Sequence, residues 1–106
     1  MPLVRLCSIE EAPAPGKGAH FDVGDGPGIA LFNVNGEFRA VEDNCPHMHA
    51  PLHDAICARG VITCLWHGWQ FDLKTGVSLM SDRIRVKIYD VRLEGNAVFV
   101  DVPVSV

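Results

Sequence analysis

Two short segments set the chemistry that this chain must fold around: Cys45-Pro46-His47 and, after a gap of 16 residues, Cys64-Leu65-Trp66-His67. Each segment pairs one thiol with one imidazole, and each is followed by loop-forming residues. An iron centre with asymmetric ligation needs such a set, two thiolates for one iron and two imidazoles for its neighbour. Sulfur suits iron–sulfur clusters, and imidazole in place of thiolate lowers the negative charge on the site and raises its reduction potential. The competing use of the same four residues is a structural Cys2His2 zinc site. Zinc fingers usually pair like ligands, C-x-x-C with H-x-x-x-H, and a C-x-H pair is cramped for a tetrahedral zinc knuckle. The iron reading is the stronger of the two.

Ligands split into two distant pairs demand a scaffold that holds two loops side by side, and the pattern of the chain is that of strands. Leu3–Ser8, 20–23, Ile29–Val34, Glu37–Glu42, Val61–Thr63, Gln70–Asp72, 77–80, 85–94 and 97–102 read as strands. Asn35-Gly36 is the strongest short hairpin signal, because both central residues of such a turn need positive φ. Gly95-Asn96 marks a second hairpin, Lys74-Thr75-Gly76 a turn, and Pro103 the end of the last strand. Strands at short, regular spacing without a helical stripe indicate an all-β antiparallel sandwich or barrel. Both ligand pairs then fall in loops between strands, within about residues 43–72. At 106 residues the expectation is one domain over 1–106. A chain of this length buries roughly two-thirds of its unfolded surface, enough for a modest core without disulfides.

The segment Cys45-Pro46-His47-Met48-His49-Ala50-Pro51-Leu52 resembles the first cluster loop of the Rieske 2Fe–2S family. Cys64-Leu65-Trp66-His67-Gly68-Trp69-Gln70-Phe71-Asp72 resembles its second. Two spaced ligand pairs and their flanking Pro, Gly and Phe-Asp residues coincide, over a resemblance that runs from about Asn33 to Val102. It implies one Rieske 2Fe–2S cluster, held on one iron by Cys45 and Cys64 and on the other by His47 and His67. It also implies a Rieske-like β-sandwich carrying a small cluster-binding subdomain. An exposed imidazole edge then gives an electron a short exit, and reduction couples to protonation of that imidazole, so the potential is expected to fall as pH rises.

Departures from the high-potential, quinol-oxidising branch of that family are informative. Ala50 and Trp66 stand where that branch carries two further cysteines, so no disulfide between the cluster loops is expected. Trp69 and Phe71 stand where it carries Ser and Tyr, whose hydroxyls donate to cluster sulfurs. Hydrogen bonds to the sulfurs are a principal lever on potential, so this chain is expected near the low end of a range of roughly −150 to +300 mV. Pro46, Pro51, Gly68 and Gly76 are read as shaping the loops, with the backbone N–H groups around Gly68 brought toward the sulfurs. Trp66 and Trp69 are expected to shield the cluster, at least one of them by burial. His20 is read as a surface residue and His49 and His53 as solvated loop residues, with His49 alternatively edging the cluster and shifting its electrostatics when protonated. Cys57 is read as a small loop or core residue, and Asp43, Asp54 and Asp72 have no evident catalytic partner.

The formal charge of −4 argues against non-specific nucleic-acid binding and suits an acidic carrier that meets a basic partner. The sequence contains no apolar run of membrane-spanning length and no signal-peptide pattern at Met1-Pro2-Leu3-Val4-Arg5, so a cytoplasmic protein with free thiols at Cys7 and Cys57 is expected. A ring-hydroxylating oxygenase needs a separate iron site of two histidines and a carboxylate, for which this chain has neither the length nor the histidines. The resemblance therefore implies a ferredoxin rather than an enzyme: a soluble, monomeric one-electron carrier between a flavin-dependent reductase and a terminal oxygenase. The alternative within the family is the small subunit of an assimilatory nitrite reductase.

Overall fold

The computed structural model describes residues 3–23, 28–45, 51–65, 68–81 and 83–101, and these form nine strands and no helix. They are β1 (Leu3–Ser8), β2 (Gly18–Phe21), β3 (Ile29–Val34), β4 (Glu37–Glu42), β5 (Ile56–Ala58), β6 (Val61–Thr63), β7 (Gln70–Asp72), β8 (Ile88–Glu94) and β9 (Ala97–Asp101). Six of them make an antiparallel sheet in the order β1-β9-β8-β4-β3-β2, and β5-β6-β7 make a smaller one. The expected all-β architecture is the one observed.

The strand β3 explains how the two sheets become one body. Its residues Ile29 to Asn33 are all buried, which a strand achieves only when both of its faces are covered. Because successive side chains alternate between faces, Ala30 and Phe32 enter one core while Ile29 and Leu31 enter another. The second core joins Cys7 of β1 and Val98 and Val100 of β9 to Ile29, Leu31 and Ala40. Strands from both halves of the large sheet thus share one interior, so the sheet curls over itself as a sandwich. The first core lies on the outer face of β3 and β4, where Ala30, Phe32 and Val41 meet Ile62, Phe71 and Leu73 of the small sheet and its turn. That is the subdomain that carries both ligand segments.

Turn chemistry sets the hairpins. Asn35 and Gly36 have φ of 54° and 91°, and Val34 pairs with Glu37 across them, the pattern of the tight turn that the Asn-Gly pair signals. Several boundaries differ from expectation. The second strand starts two residues early, because Gly18 pairs with Phe32. Segment 77–80 makes only two isolated bridges, Phe71 with Ser78 and Val77 with Arg85, and β8 begins at Ile88 rather than at residue 85. The strand β5 was not expected. It pairs with β6 across Arg59 and Gly60, both at positive φ (55° and 77°). Arginine rarely adopts that conformation, so the turn has no sequence signature.

Candidate metal centre

The first ligand segment leaves the end of β4, and one carboxylate organises its two ends. The side chain of Asp43 is 1% exposed. Its Oδ1 accepts the backbone N–H groups of Leu52 at 2.5 Å and His53 at 2.8 Å. Its Oδ2 lies 2.5 Å from His20 Nδ1 and 2.6 Å from His53 Nδ1. Segment 43–53, which contains Cys45 and His47, is therefore closed by a single side chain. Burial alone would favour the neutral acid. The hydrogen bonds from His20, from the Leu52 N–H and from His53 outweigh it and hold the Asp43 carboxyl below its ordinary range. His20 moves the other way: hydrogen bonds to Asp22 first and Asp43 second raise its pKa. His20 reaches Asp43 because residue 28 is glycine. A Cβ there would sit 2.5 Å from His20 Cε1 and 2.8 Å from the Phe21 carbonyl oxygen.

The second ligand segment is the tip of the β6–β7 hairpin. Ile62 pairs with Phe71 and Thr63 with Gln70, and the Cys64 N–H donates to the Trp69 carbonyl at 2.8 Å. The Gly68 N–H donates to the Cys64 carbonyl at 2.9 Å, with Gly68 at φ 71°. That N–H is thus committed to the turn, and the glycine serves the backbone geometry rather than aiming its own N–H at a sulfur.

The hairpin tip and the Asp43 segment each bring one cysteine into the same apolar core. Cys45 and Cys64 are each 1% exposed and pack with Leu52, Ile62, Phe71 and Leu73. None of the four cysteines is in a disulfide, as the sequence led one to expect. Trp69 is partly buried against this core; Trp66 lies outside the described residues. Phe71 is fully buried and brings no hydroxyl. Two thiols in a core that excludes water fit the sulfur half of an iron–sulfur site, where the apolar shell restrains solvent access and tunes potential. His47 and His67 lie outside the described residues, as do Pro46, Met48, His49 and Ala50.

Residues 3–90 match the model of the Rieske [2Fe-2S] domain. The chain belongs to the Rieske family. A Rieske domain carries one 2Fe–2S cluster, and the match reaches back through β1 and β2, well before the point at which the sequence motifs begin. Among Rieske proteins, the 3-phenylpropionate/cinnamic acid dioxygenase ferredoxin subunit of Escherichia coli (strain K12) is 32% identical over 94% of this chain and 93% of its own length. A chain from the complex of reduced oxygenase and oxidized ferredoxin in carbazole 1,9a-dioxygenase superposes with a TM-score of 0.83 at 25% identity, over 92% of this chain and 91% of that one. The putative NADH-dependent nitrite reductase small subunit of Mycobacterium tuberculosis superposes with a TM-score of 0.86 at 25% identity, over 97% of each.

Three residues without an assigned role in the sequence reading prove to be central to this Rieske fold. His20 and His53 do keep a solvent-exposed edge, but both are also partners of a buried carboxylate, and Asp43 takes part in four side-chain hydrogen bonds with three residues, His20, Leu52 and His53. No short-range pattern links them, since His20 and Asp43 are 23 residues apart. Cys57 sits half-buried on β5 against the first core, and burial raises its pKa, consistent with a small core residue.

Proposed function

We propose that this Rieske protein is a one-electron carrier that accepts electrons from a flavin-dependent reductase and passes them to a terminal ring-hydroxylating oxygenase. The observation that carries this reading is the near end-to-end match to a dioxygenase ferredoxin subunit, together with two thiols buried in one apolar core. When bound, the cluster supplies reversible one-electron exchange. The ligands assigned to it are the thiolates of Cys45 and Cys64 on one iron and the imidazoles of His47 and His67 on the other. Each imidazole keeps a second ring nitrogen that can hold or release a proton. Leu52, Phe71 and Leu73 keep water from the sulfurs, and Asp43 holds the backbone on both sides of the first pair. The assignment treats residues 1–106 as one domain acting in the cytoplasm; no helix among the described residues is long and apolar enough to cross a membrane.

Delivery to a partner needs a contact that releases after each electron, which small interfaces permit. Leu65, Leu79 and Met80 are each more than half exposed. Leu65 lies in the second ligand segment, and the Leu79 N–H is bonded to the Gln70 carbonyl beside it. These apolar side chains next to the hairpin tip support a transient docking face. The test is a potentiometric titration followed by EPR, then reduction of the protein by a flavin reductase. A Rieske signal appearing at low potential is expected; a high-potential signal, or a colourless protein retaining stoichiometric zinc, would overturn the reading.

The similarity to a nitrite reductase small subunit favours a second reading, in which the chain is a permanent part of a larger redox complex. Co-purification separates the two. A stoichiometric complex supports the subunit, and a chain that purifies alone and cycles with a reductase supports the carrier.

A further inference from the structure

His20, Asp43 and His53 bring three donor atoms, two imidazole nitrogens and one carboxylate oxygen, together at the start of the first ligand segment. Both Nδ1 atoms converge on the same oxygen, at 2.5 and 2.6 Å, and the two rings stand 5.3 Å apart at 56°. Asp43 is buried, whereas the two histidine side chains are about one-third exposed (34% and 30%). The donors are thus anchored from inside and open from outside.

The far nitrogen of each ring also faces a carboxylate. His20 Nε2 is 2.9 Å from Asp22 Oδ1, and His53 Nε2 is 3.5 Å from Asp54 Oδ2. Histidines that ligate metals almost always set their second ring nitrogen against a carboxylate, carbonyl or water, which fixes the tautomer and makes the ligating nitrogen more basic. His20 shows that arrangement here through Asp22, and His53 approaches it, with Asp54 at ion-pair distance. Three carboxylates surround two imidazoles, and among the described residues no lysine or arginine is paired with any of the three. The group carries three carboxylates, whose charge either ring protons or a bound cation can offset.

We propose that His20, Asp43 and His53 form a second metal site, separate from the cluster, that takes one divalent transition ion of the zinc type. Imidazole and carboxylate donors suit zinc, copper and nickel, and exclude the oxygen-only preference of calcium and magnesium. A tetrahedral zinc at about 2.0–2.1 Å from each donor needs its donors about 3.3 Å apart. The observed spacing is that of hydrogen bonds, so each ring swings outward by about 0.7–0.8 Å as the ion takes the place of the two Nδ1 protons, which are released to solvent. Their partial exposure leaves room for this, and water completes the coordination. The ion would tie β2 to both ends of the first ligand segment.

The test is calorimetric titration of zinc into cluster-loaded protein stripped of loose metal with a chelator. The visible and EPR spectra of the cluster report that the ligands proposed for it remain occupied. One zinc per chain is expected, with a rise in melting temperature. His20→Gln and His53→Gln keep an N–H that can donate to Asp43 but lose the ligating nitrogen, and each should weaken zinc binding more than tenfold. Asp22→Asn, which touches no bound ion, should weaken it about tenfold through His20. Unchanged affinity in the His20→Gln/His53→Gln double variant, or no saturable binding by wild-type protein, would overturn the proposal. Should the glutamine variants fail to assemble the cluster, Asp22→Asn and Asp54→Asn decide it, since both lie on the surface: unchanged affinity in both would again overturn it.

Discussion

The two ligand segments are held in place by different means. The first depends on a side chain: Asp43 accepts from the backbone at Leu52 and His53 and engages two imidazoles, and among the described residues no other side chain joins the two ends of segment 43–53. The second depends on the backbone: it is the tip of a hairpin whose ladder runs into it, closed by Cys64–Trp69 and Gly68–Cys64 main-chain hydrogen bonds. A loop stapled by one buried carboxylate is vulnerable at one residue. A loop continuous with a ladder spreads the same task over many peptide groups.

That contrast is sharpest in Asp43→Ala. It strands one buried and one part-buried N–H group and removes the partner of both histidines, so a loss of about 3 kcal/mol is expected, with poor cluster retention. Urea unfolding and iron content measure it; a loss below about 1 kcal/mol would erase the distinction between the loops. In the second loop, Gly68→Ala meets no atom of the described residues but must adopt positive φ. The expected cost is about 1–2 kcal/mol, with the cluster retained. A larger cost than that of Asp43→Ala would reverse the comparison.

Phe71→Tyr probes function rather than stability. A new hydroxyl donating to a cluster sulfur is worth about 1 kcal/mol, which corresponds to a rise of about 40 mV for a one-electron couple. No upward shift in a correctly assembled variant would refute the proposed role of position 71.

The smallest effect concerns His20 in metal-free protein. Its folded pKa is raised, by Asp22 first and Asp43 second. The stabilisation is therefore fully present below the unfolded value of about 6.5 and is lost as pH rises through the folded value. The melting temperature of wild type should exceed that of His20→Gln more at about pH 5.5 than at about pH 8.5. A difference that grows with pH would show that His20 acts as a neutral ring.

Much of this was legible from residues alone. The bounds of β1, β3, β4, β6 and β7 follow from alternation and turn residues, because those signals are local. Segment 77–80 looked like a strand for the same reason, yet it finds only two bridging partners. The strand β5 escaped notice because Arg59 occupies a position that usually needs Asn or Gly.

The sequence by itself determined the kind of chemistry, since thiol–imidazole pairs at that spacing have few uses, and it determined the hairpin that presents the second of them. Only the tertiary structure decided that β3 is covered on both faces, that Cys45 and Cys64 share one core, and that His20 meets Asp43 and His53. His20 arrives there because β2 pairs with β3 and β3 with β4, which ends one residue before Asp43. Pairing between strands is a non-local choice, made by the burial of whole faces rather than by any residue's neighbours in the chain.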